Sequence, residues 1–371
     1  MNIIRSYPTL KDRLPEGALK KRLGADTFKL LGGWRAFMPS AHIPALFKAM
    51  REGDPYRVRA LLIFGNNPLT SVADSREVYK SLMALDMLAV TDLFMTPTAA
   101  HADYVLPAAF WTEVDQVIGY PLVVENMVMA QQKIVERHEC RQDEWIMNEL
   151  SKRLGLPGGT DTIEDVMNYQ LEPLGVRFED LKKKAFVFPP HEYRKYERQG
   201  FRTPSKKVEI YSRTLQRMGY GALPTFKEPP EGPVSAPDIA KEFPYILITG
   251  SRRLEFFHSE HRQIESLRRL RPSPLVELHP DAALRNGISS GDWVRVSTPR
   301  GTIRMKALVT GDIHPDVASV DHGWWFPEKD GPLHGVFDSN ANVLTNNGPP
   351  YDPAFGSYQL RGLLCKIEKE G

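Results

Sequence analysis

Between about residues 58 and 157, short unbroken apolar runs alternate with amphipathic stretches, a rhythm that predicts strands and helices in turn. Val58 to Phe64 has the composition of a strand buried on both faces of a parallel sheet. Asp74 or Ser75 caps a helix running through Leu85, with Val78, Leu82 and Leu85 along one side. Met87 to Phe94 supplies a second strand, Thr98 to Asp103 a turn or short helix, and Tyr104 to Pro107 a third extended piece. Asp143 to Leu154 closes the segment as a helix stopped by Gly155. Elements in this order predict an open α/β sheet.

Beyond about residue 241 the period shortens to two. Tyr245 to Thr249 and Leu275 to Leu278 read as buried strands, and Asp281 to Asn286 as a short helix ending at Gly287. Trp293 to Ser297 and Thr302 to Val309 form a hairpin across Thr298-Pro299-Arg300-Gly301, where Ile303, Met305, Ala307 and Val309 alternate with Thr302, Arg304 and Lys306. A compact barrel is the natural closure for such strands. Residues 1–57 hold short helical patterns broken by Pro15, Gly24, Gly32-Gly33, Pro39 and Pro44, with one helix expected between Ala41 and Gly53. Residues 158–240 are rich in proline and charge. Only Lys207 to Tyr211 alternates there as a strand should, ahead of a Pro-rich linker. The expected domains are therefore 1–57, 58–157, 158–240 and 241–371.

At 371 residues the chain exceeds what one core usually organises. Forty-eight Lys and Arg stand against 46 Asp and Glu, which gives no electrostatic case for nucleic acid or an anionic membrane. The start of the chain has no secretory apolar stretch, and no run reaches the length of a membrane span, so a cytoplasmic protein is expected as the chain stands. Cys140 and Cys365 lie too far apart for a disulfide framework, and neither sits in a C-x-x-C pair for zinc or an iron–sulfur cluster. Two buried or partly buried thiols are the simpler reading.

Four segments carry candidate chemistry. Gly65-Asn66-Asn67-Pro68 follows the first strand, where ligands of open α/β sheets sit and where glycine permits close backbone approach. A plain β-to-α turn has the same composition. Asp92 ends the next strand and is placed to accept from ribose hydroxyls or a base edge; loop and acid together favour a ligand. The loop is not G-x-G-x-x-G, so the usual nicotinamide fingerprint is absent. In the second half, Thr249-Gly250-Ser251-Arg252 precedes His258-Ser259-Glu260-His261-Arg262. Arginine grips pyrophosphate bidentately, while serine and backbone amides take the remaining oxygens. His258 and His261, three apart, admit a metal, a structural pair or cofactor contact; without a third ligand no metal-binding residue is assigned. Asn340, Asn342 and Thr345 form a late polar loop.

These segments resemble the C-terminal half of the molybdopterin oxidoreductases, the dimethyl-sulfoxide-reductase family. The most specific match is Thr98-Ala99-Ala100-His101-Ala102-Asp103-Tyr104-Val105-Leu106-Pro107, similar to the Thr-x-x-x-Ala-Asp-x-Val-Leu-Pro string that follows the acid-bearing strand in that family. The family also places an Asn-Val-x-x-Leu-Thr segment and an Asp-Pro-x-x-Gly turn against its pterins, as Asn340 to Thr345 and Asp352 to Gly356 would stand here. A pterin edge is dense in donors and acceptors that amide and hydroxyl side chains match. His322-Gly323-Trp324-Trp325-Phe326-Pro327-Glu328 looks most like the acetylene-hydratase and thiosulfate or polysulfide reductase branch, a buried aromatic cluster being the alternative.

The resemblance implies a Rossmann-like three-layer α/β domain followed by a double-psi β-barrel. Both would wrap a molybdenum or tungsten bis(pyranopterin guanine dinucleotide). Its contacts would be Gly65, Asn66, Asn67, Pro68, Asp92, Thr98, Asp103, Thr249, Gly250, Ser251, Arg252, His258, Ser259, Arg262, Asn340, Asn342 and Thr345. The four-cysteine iron–sulfur segment and the protein ligand to the metal, both in the first half of family members, have no counterpart here. No catalytic residue is therefore assigned. The chain is expected to be inactive alone and to need an N-terminal half or a separate subunit carrying those groups, with electron-transfer subunits beyond it and export alongside a partner as a further option. The alternatives are a non-catalytic cofactor-binding or scaffold module, and part of a non-redox hydratase.

Overall fold

The computed structural model describes residues 17–31, 40–119, 127–136, 139–156, 162–188, 192–250 and 253–371. Two compact units result. Leu106–Thr225 builds most of one; Arg22–Val105 and Phe226–Gly371 build the other.

The second unit begins with α1 (Ile43–Glu52). Pro44 lies in its first turn, where no backbone donor is needed, and Gly53 ends it in the left-handed conformation, its N–H bonding the Ala49 carbonyl. Strands β1 (Ala60–Phe64) and β2 (Met87–Asp92) pair in parallel, Ala60 opposite Met87 and Phe64 opposite Thr91. Between them run a single helical turn, Pro68–Ser71, and α2 (Ser75–Met83). The Asp74 carboxylate caps α2 by accepting from the Glu77 N–H. β3 (Tyr104–Pro107) completes the order β1-β2-β3. Phe47 and Met50 of α1 pack with Ile63, Leu69, Leu82 and Val90, and Trp325 from far along the chain joins this core.

The first unit holds β4 (Gln116–Gly119), β5 (Val128–Gln131) and β6 (Phe186–Val187), an antiparallel sheet. It also holds α3 (Asp143–Arg153), α4 (Ile163–Leu171) and α5 (Phe178–Lys184). Val117, Val128, Met167, Leu171, Phe178 and Leu181 form its core. The pairing of β5 with β6 ties residues near 130 to the connector near 187. The strand expected at Lys207 to Tyr211 does not form. Val208 and Ile210 are 67% and 80% exposed, and alternation without a partner strand to accept its backbone bonds makes no sheet.

The rest of the second unit is a closed six-stranded barrel. It comprises β7 (Tyr245–Ile248), β8 (Leu275–Leu278), β9 (Trp293–Thr298), β10 (Gly301–Val309), β11 (Val317–Val320) and β12 (Leu363–Lys369), in the order β10-β8-β11-β7-β12-β9. β7 runs parallel to β11 and β8 parallel to β10; the other pairs are antiparallel. The hairpin of β9 and β10 turns on Pro299-Arg300, and Ile303, Met305 and Ala307 point into the core. The expected α/β-then-barrel layout is present in the mixed α/β fold with its C-terminal barrel. Among the described residues no helix is long and apolar enough to cross a membrane.

Cys365 lies inside the barrel, and burial pushes its thiol up to about 12. Cys140 is partly exposed. Because the thiolate is the reactive form, dithionitrobenzoate at about pH 8 is expected to label Cys140 in the native protein and Cys365 only on unfolding. Two equivalents released at the same native rate would show a barrel that opens readily.

Candidate functional site

Parallel pairing of β7 and β11 brings their carboxyl ends to the same rim of the barrel. β7 there releases Thr249 and Gly250, and β11 releases Asp321, His322 and Gly323. Thr70, Ser71 and Ala73 of the α/β part face this rim across a cleft of about 420 Å³. His258 and Ser259, Asn342 and Thr345, and the late Tyr358, Leu360 and Arg361 complete the lining.

The late polar loop clamps the two sides together. Asn340 is wholly buried; its Nδ2 donates to the Leu69 carbonyl and to Ser75 Oγ, both at 3.0 Å, while its Oδ1 accepts from the Asn342 N–H. Asn342 Nδ2 donates to the Thr70 carbonyl at 2.8 Å, and Thr345 Oγ1 donates to Asn342 Oδ1 at 3.0 Å. Asn342 and Thr345 thus line the cleft, whereas Asn340 serves the fold beneath it.

Gly250 has a φ of 64°, and a Cβ there would lie 3.0 Å from the Val320 carbonyl. Only glycine keeps this backbone bare at the cleft wall. His258 also adopts a left-handed φ, 57°, without being glycine. Arg262 holds it there: Nη2 donates to the carbonyls of His258 and His322, and Nε to that of Gly323. The buried guanidinium lies 4.3 Å from the ring centres of both Phe256 and Trp324. Burial lowers its pKa to about 9, which leaves it a cation at neutral pH. Arg262 therefore braces the lining from behind. His258 Nδ1 stands 3.0 Å from His322 Nε2, and burial first, then the neighbouring His258, lowers the His322 pKa.

Below the rim, Asp321 is 2% exposed. Its Oδ1 accepts from Arg253 Nε at 2.6 Å, and its Oδ2 from the Leu275 N–H at 3.0 Å and Arg271 Nη1 at 3.4 Å. Arg253 also donates to Glu277. This network ties the two cleft loops to each other and to β8.

The first-half candidates stand apart from the cleft lining. Gly65 takes a positive φ after β1, and Asn66 Oδ1 accepts from Ser71 Oγ. Asn67 Oδ1 accepts from the buried Thr98 Oγ1 at 2.6 Å, and Thr98 in turn accepts from the Leu69 N–H; Pro68 opens the turn between them. Asp103 ties β3 to β2 through the Leu88 N–H. Asp92 accepts from the N–H groups of Leu93 and Phe94 and from Thr96 Oγ1, yet burial raises its pKa above the usual carboxylate range. Ser251 and Arg252 lie outside the described residues.

Thr70, Ser71, His322, Tyr358 and Arg361 were not among the expected contacts. His322 heads the aromatic string noted in the sequence, but Arg361 has no local signal and reaches the cleft only because β12 returns beside β7. Trp324 and Trp325 are both fully buried, so the string is an aromatic cluster in its packing. Among the described residues no three His, Cys, Asp or Glu gather as a metal site.

Hydroxyls, amides, a bare glycine backbone and one arginine make a donor set that fits an anionic, hydrogen-bond-rich group such as a pterin dinucleotide. Residues 39–153 match the family model described as molybdopterin oxidoreductase, and residues 245–363 that of the molydopterin dinucleotide binding domain. The acetylene hydratase of Syntrophotalea acetylenica is 32% identical, the alignment covering 97% of this chain and 53% of that protein. The dopamine dehydroxylase of Eggerthella lenta is 29% identical over 96% of this chain and 42% of its own length. The solved structure of acetylene hydratase from Pelobacter acetylenicus superposes with a TM-score of 0.87 at 31% identity, covering 96% of this chain and 53% of that one. The chain spans about half the length of the curated relatives it matches. By the matches of its two domains and by its fold, the chain belongs to the molybdopterin oxidoreductase family.

Proposed function

We propose that this chain is the part of a molybdenum or tungsten enzyme that holds a bis(pyranopterin guanine dinucleotide). The observation that carries the reading is the cleft at the barrel rim, where Gly250 bares its backbone beside Ser71, Asn342, Thr345 and Arg361. When bound, the cofactor supplies the metal and its transfer of oxygen, sulfur or hydride equivalents. The chain's own residues bind and orient it. Gly250 lets a phosphate approach, Arg361 offsets its charge, and Asn342 and Thr345 present an amide and a hydroxyl. Gly65, Asn66 and Asp92 stand at the carboxyl ends of the parallel pair β1 and β2, the place for the ribose or base of another arm. Arg252, next in sequence to the cleft loop, would join the phosphate contacts.

Parallel β1 and β2 joined through α2 support a Rossmann-like layer, and the two parallel pairs in the six-stranded barrel support a double-psi connection. In this reading the metal ligand and iron–sulfur cluster come from the portion of the family outside the span matched here, within one polypeptide or as a separate subunit. Electron-transfer subunits would follow. A hydratase without net redox change is the second reading, favoured by the likeness to acetylene hydratase in both sequence and structure.

The test is production in a cofactor-making host with a candidate complement, followed by metal analysis and pterin fluorescence. Cofactor at near one equivalent is expected, and none of either would overturn the proposal. Gly250→Ala is expected to lower cofactor content at least about tenfold, since a side chain must leave the left-handed region or push the Val320 carbonyl aside. Retention equal to the parent would remove this loop from the site.

A further inference from the structure

The two histidines at the cleft have their tautomers set by a chain of hydrogen bonds. The Thr249 carbonyl can only accept, so His322 Nδ1, 3.3 Å away, carries the hydrogen. His322 Nε2 is then the lone-pair nitrogen, and His258 Nδ1, 3.0 Å from it, must donate. That leaves His258 Nε2 as a base, with no hydrogen-bond partner among the described residues. His258 is exposed and lines the cleft.

The backbone enforces this arrangement. His258 is kept at a left-handed φ by Arg262, and a Cβ at Gly323 would come within 3.1 Å of the Ser259 nitrogen, so only glycine lets the two loops meet. Strain of this kind persists where surrounding contacts over-determine it.

We propose that His258 and His322 act as a proton-accepting couple that gains one proton, at His258 Nε2, when an anionic group enters. The inference rests on reading the cleft as a phosphate site. The proton comes from solvent, the new N–H becomes a donor to the anion, and the bond to His322 is retained. Cationic groups face the couple in the free cleft. Arg262 lies behind both residues, and Arg361 lines the same cleft. Against them stands Asp321, already shared between Arg253 and Arg271, while Glu277 is held by Arg253; Tyr358 is the remaining titratable lining group. An arriving pyrophosphate reverses the balance. His322 is thereby a positioning residue, since it fixes which His258 nitrogen faces the ligand.

The probe is P1,P2-diguanosine diphosphate, whose pyrophosphate diester stays ionised between about pH 5.5 and 8, so that any proton linkage belongs to the protein. Calorimetric titration of the full chain in two buffers of different ionisation enthalpy counts the protons taken up. Uptake approaching one proton per ligand near pH 7.5 is expected. Affinity should rise as pH falls, by at most about tenfold per unit. Glutamine can donate to Thr249 and accept from His258 but cannot gain a charge. His258→Gln should therefore bring uptake near zero and flatten the pH profile, whereas His322→Gln, which keeps the acceptor for His258 Nδ1, should retain uptake. Binding by the parent without proton uptake, or uptake that persists in His258→Gln, would overturn this inference alone. Absence of binding at every pH would overturn the phosphate reading as well. The parent measurement decides the matter even if the variants fold poorly.

Discussion

Trp325→Ala is expected to destabilise the protein by about 3 to 5 kcal/mol, the range for emptying a fully packed aromatic site. Trp325 is 0% exposed and packs among Phe47, Leu69, Val78 and Leu82, although it arrives from the barrel side of the sequence. Its Nε1 also donates to the Ser259 carbonyl at 2.9 Å, and Ser259 lines the cleft. Trp325→Phe keeps most of the volume and loses that bond, leaving a buried carbonyl unmatched at about 1 to 3 kcal/mol. Trp324, equally buried, has no partner for its Nε1 among the described residues, so Trp324→Phe should be tolerated better. Urea unfolding of the three variants checks the order. Equal losses in the two phenylalanine variants would show that the Ser259 bond contributes nothing.

Removing the Asp321 carboxylate is expected to have an effect of similar size. Asp321→Ala leaves Arg271 without its shared carboxylate, Arg253 with Glu277 alone, and the Leu275 N–H unmatched. Breaking a buried ion network from one side costs about 3 to 5 kcal/mol, because the partner charges stay desolvated. Asp321→Asn can still accept from Leu275 and should recover part of the loss. The group is buried, so raising the salt concentration should leave the difference between parent and variant largely intact. A loss under about 1 kcal/mol, the range of exposed pairs, would show that water reaches this network. Because Asp321 immediately precedes His322 and pairs with Arg253 beyond Gly250, ligand affinity should fall with stability.

Local pattern explains much of the fold. The apolar runs at β1 and β2, the Asp74 cap of α2, the Gly53 stop of α1 and the alternation of Ile303, Met305 and Ala307 are each settled within a few residues, by backbone sterics and one-sided burial. The same logic fails at Lys207 to Tyr211. Its alternation is as regular as that of β10, but a strand needs a neighbour to accept its backbone bonds, and among the described residues none pairs with it. The pairing of β5 with β6 has no local signal either, since the partners lie nearly sixty residues apart.

The candidate site divides along the same line. Thr249, Gly250, Asn342 and Thr345 were marked by residue type, a glycine at a strand end and amide and hydroxyl side chains in a late loop. Residue type could not separate Asn342, which lines the cleft, from Asn340 two positions earlier, which is buried under it. Nor could it pick out Arg361, or pair His258 with His322 across 64 positions. By itself the sequence determined the family, the order of an α/β layer and a barrel, and the composition of the loops, because these follow from short-range periodicity and local motifs. Only the tertiary structure decided which of those loop residues meet, because the cleft exists where strands distant in sequence end at one barrel rim and a buried asparagine ties that rim to the turn after β1.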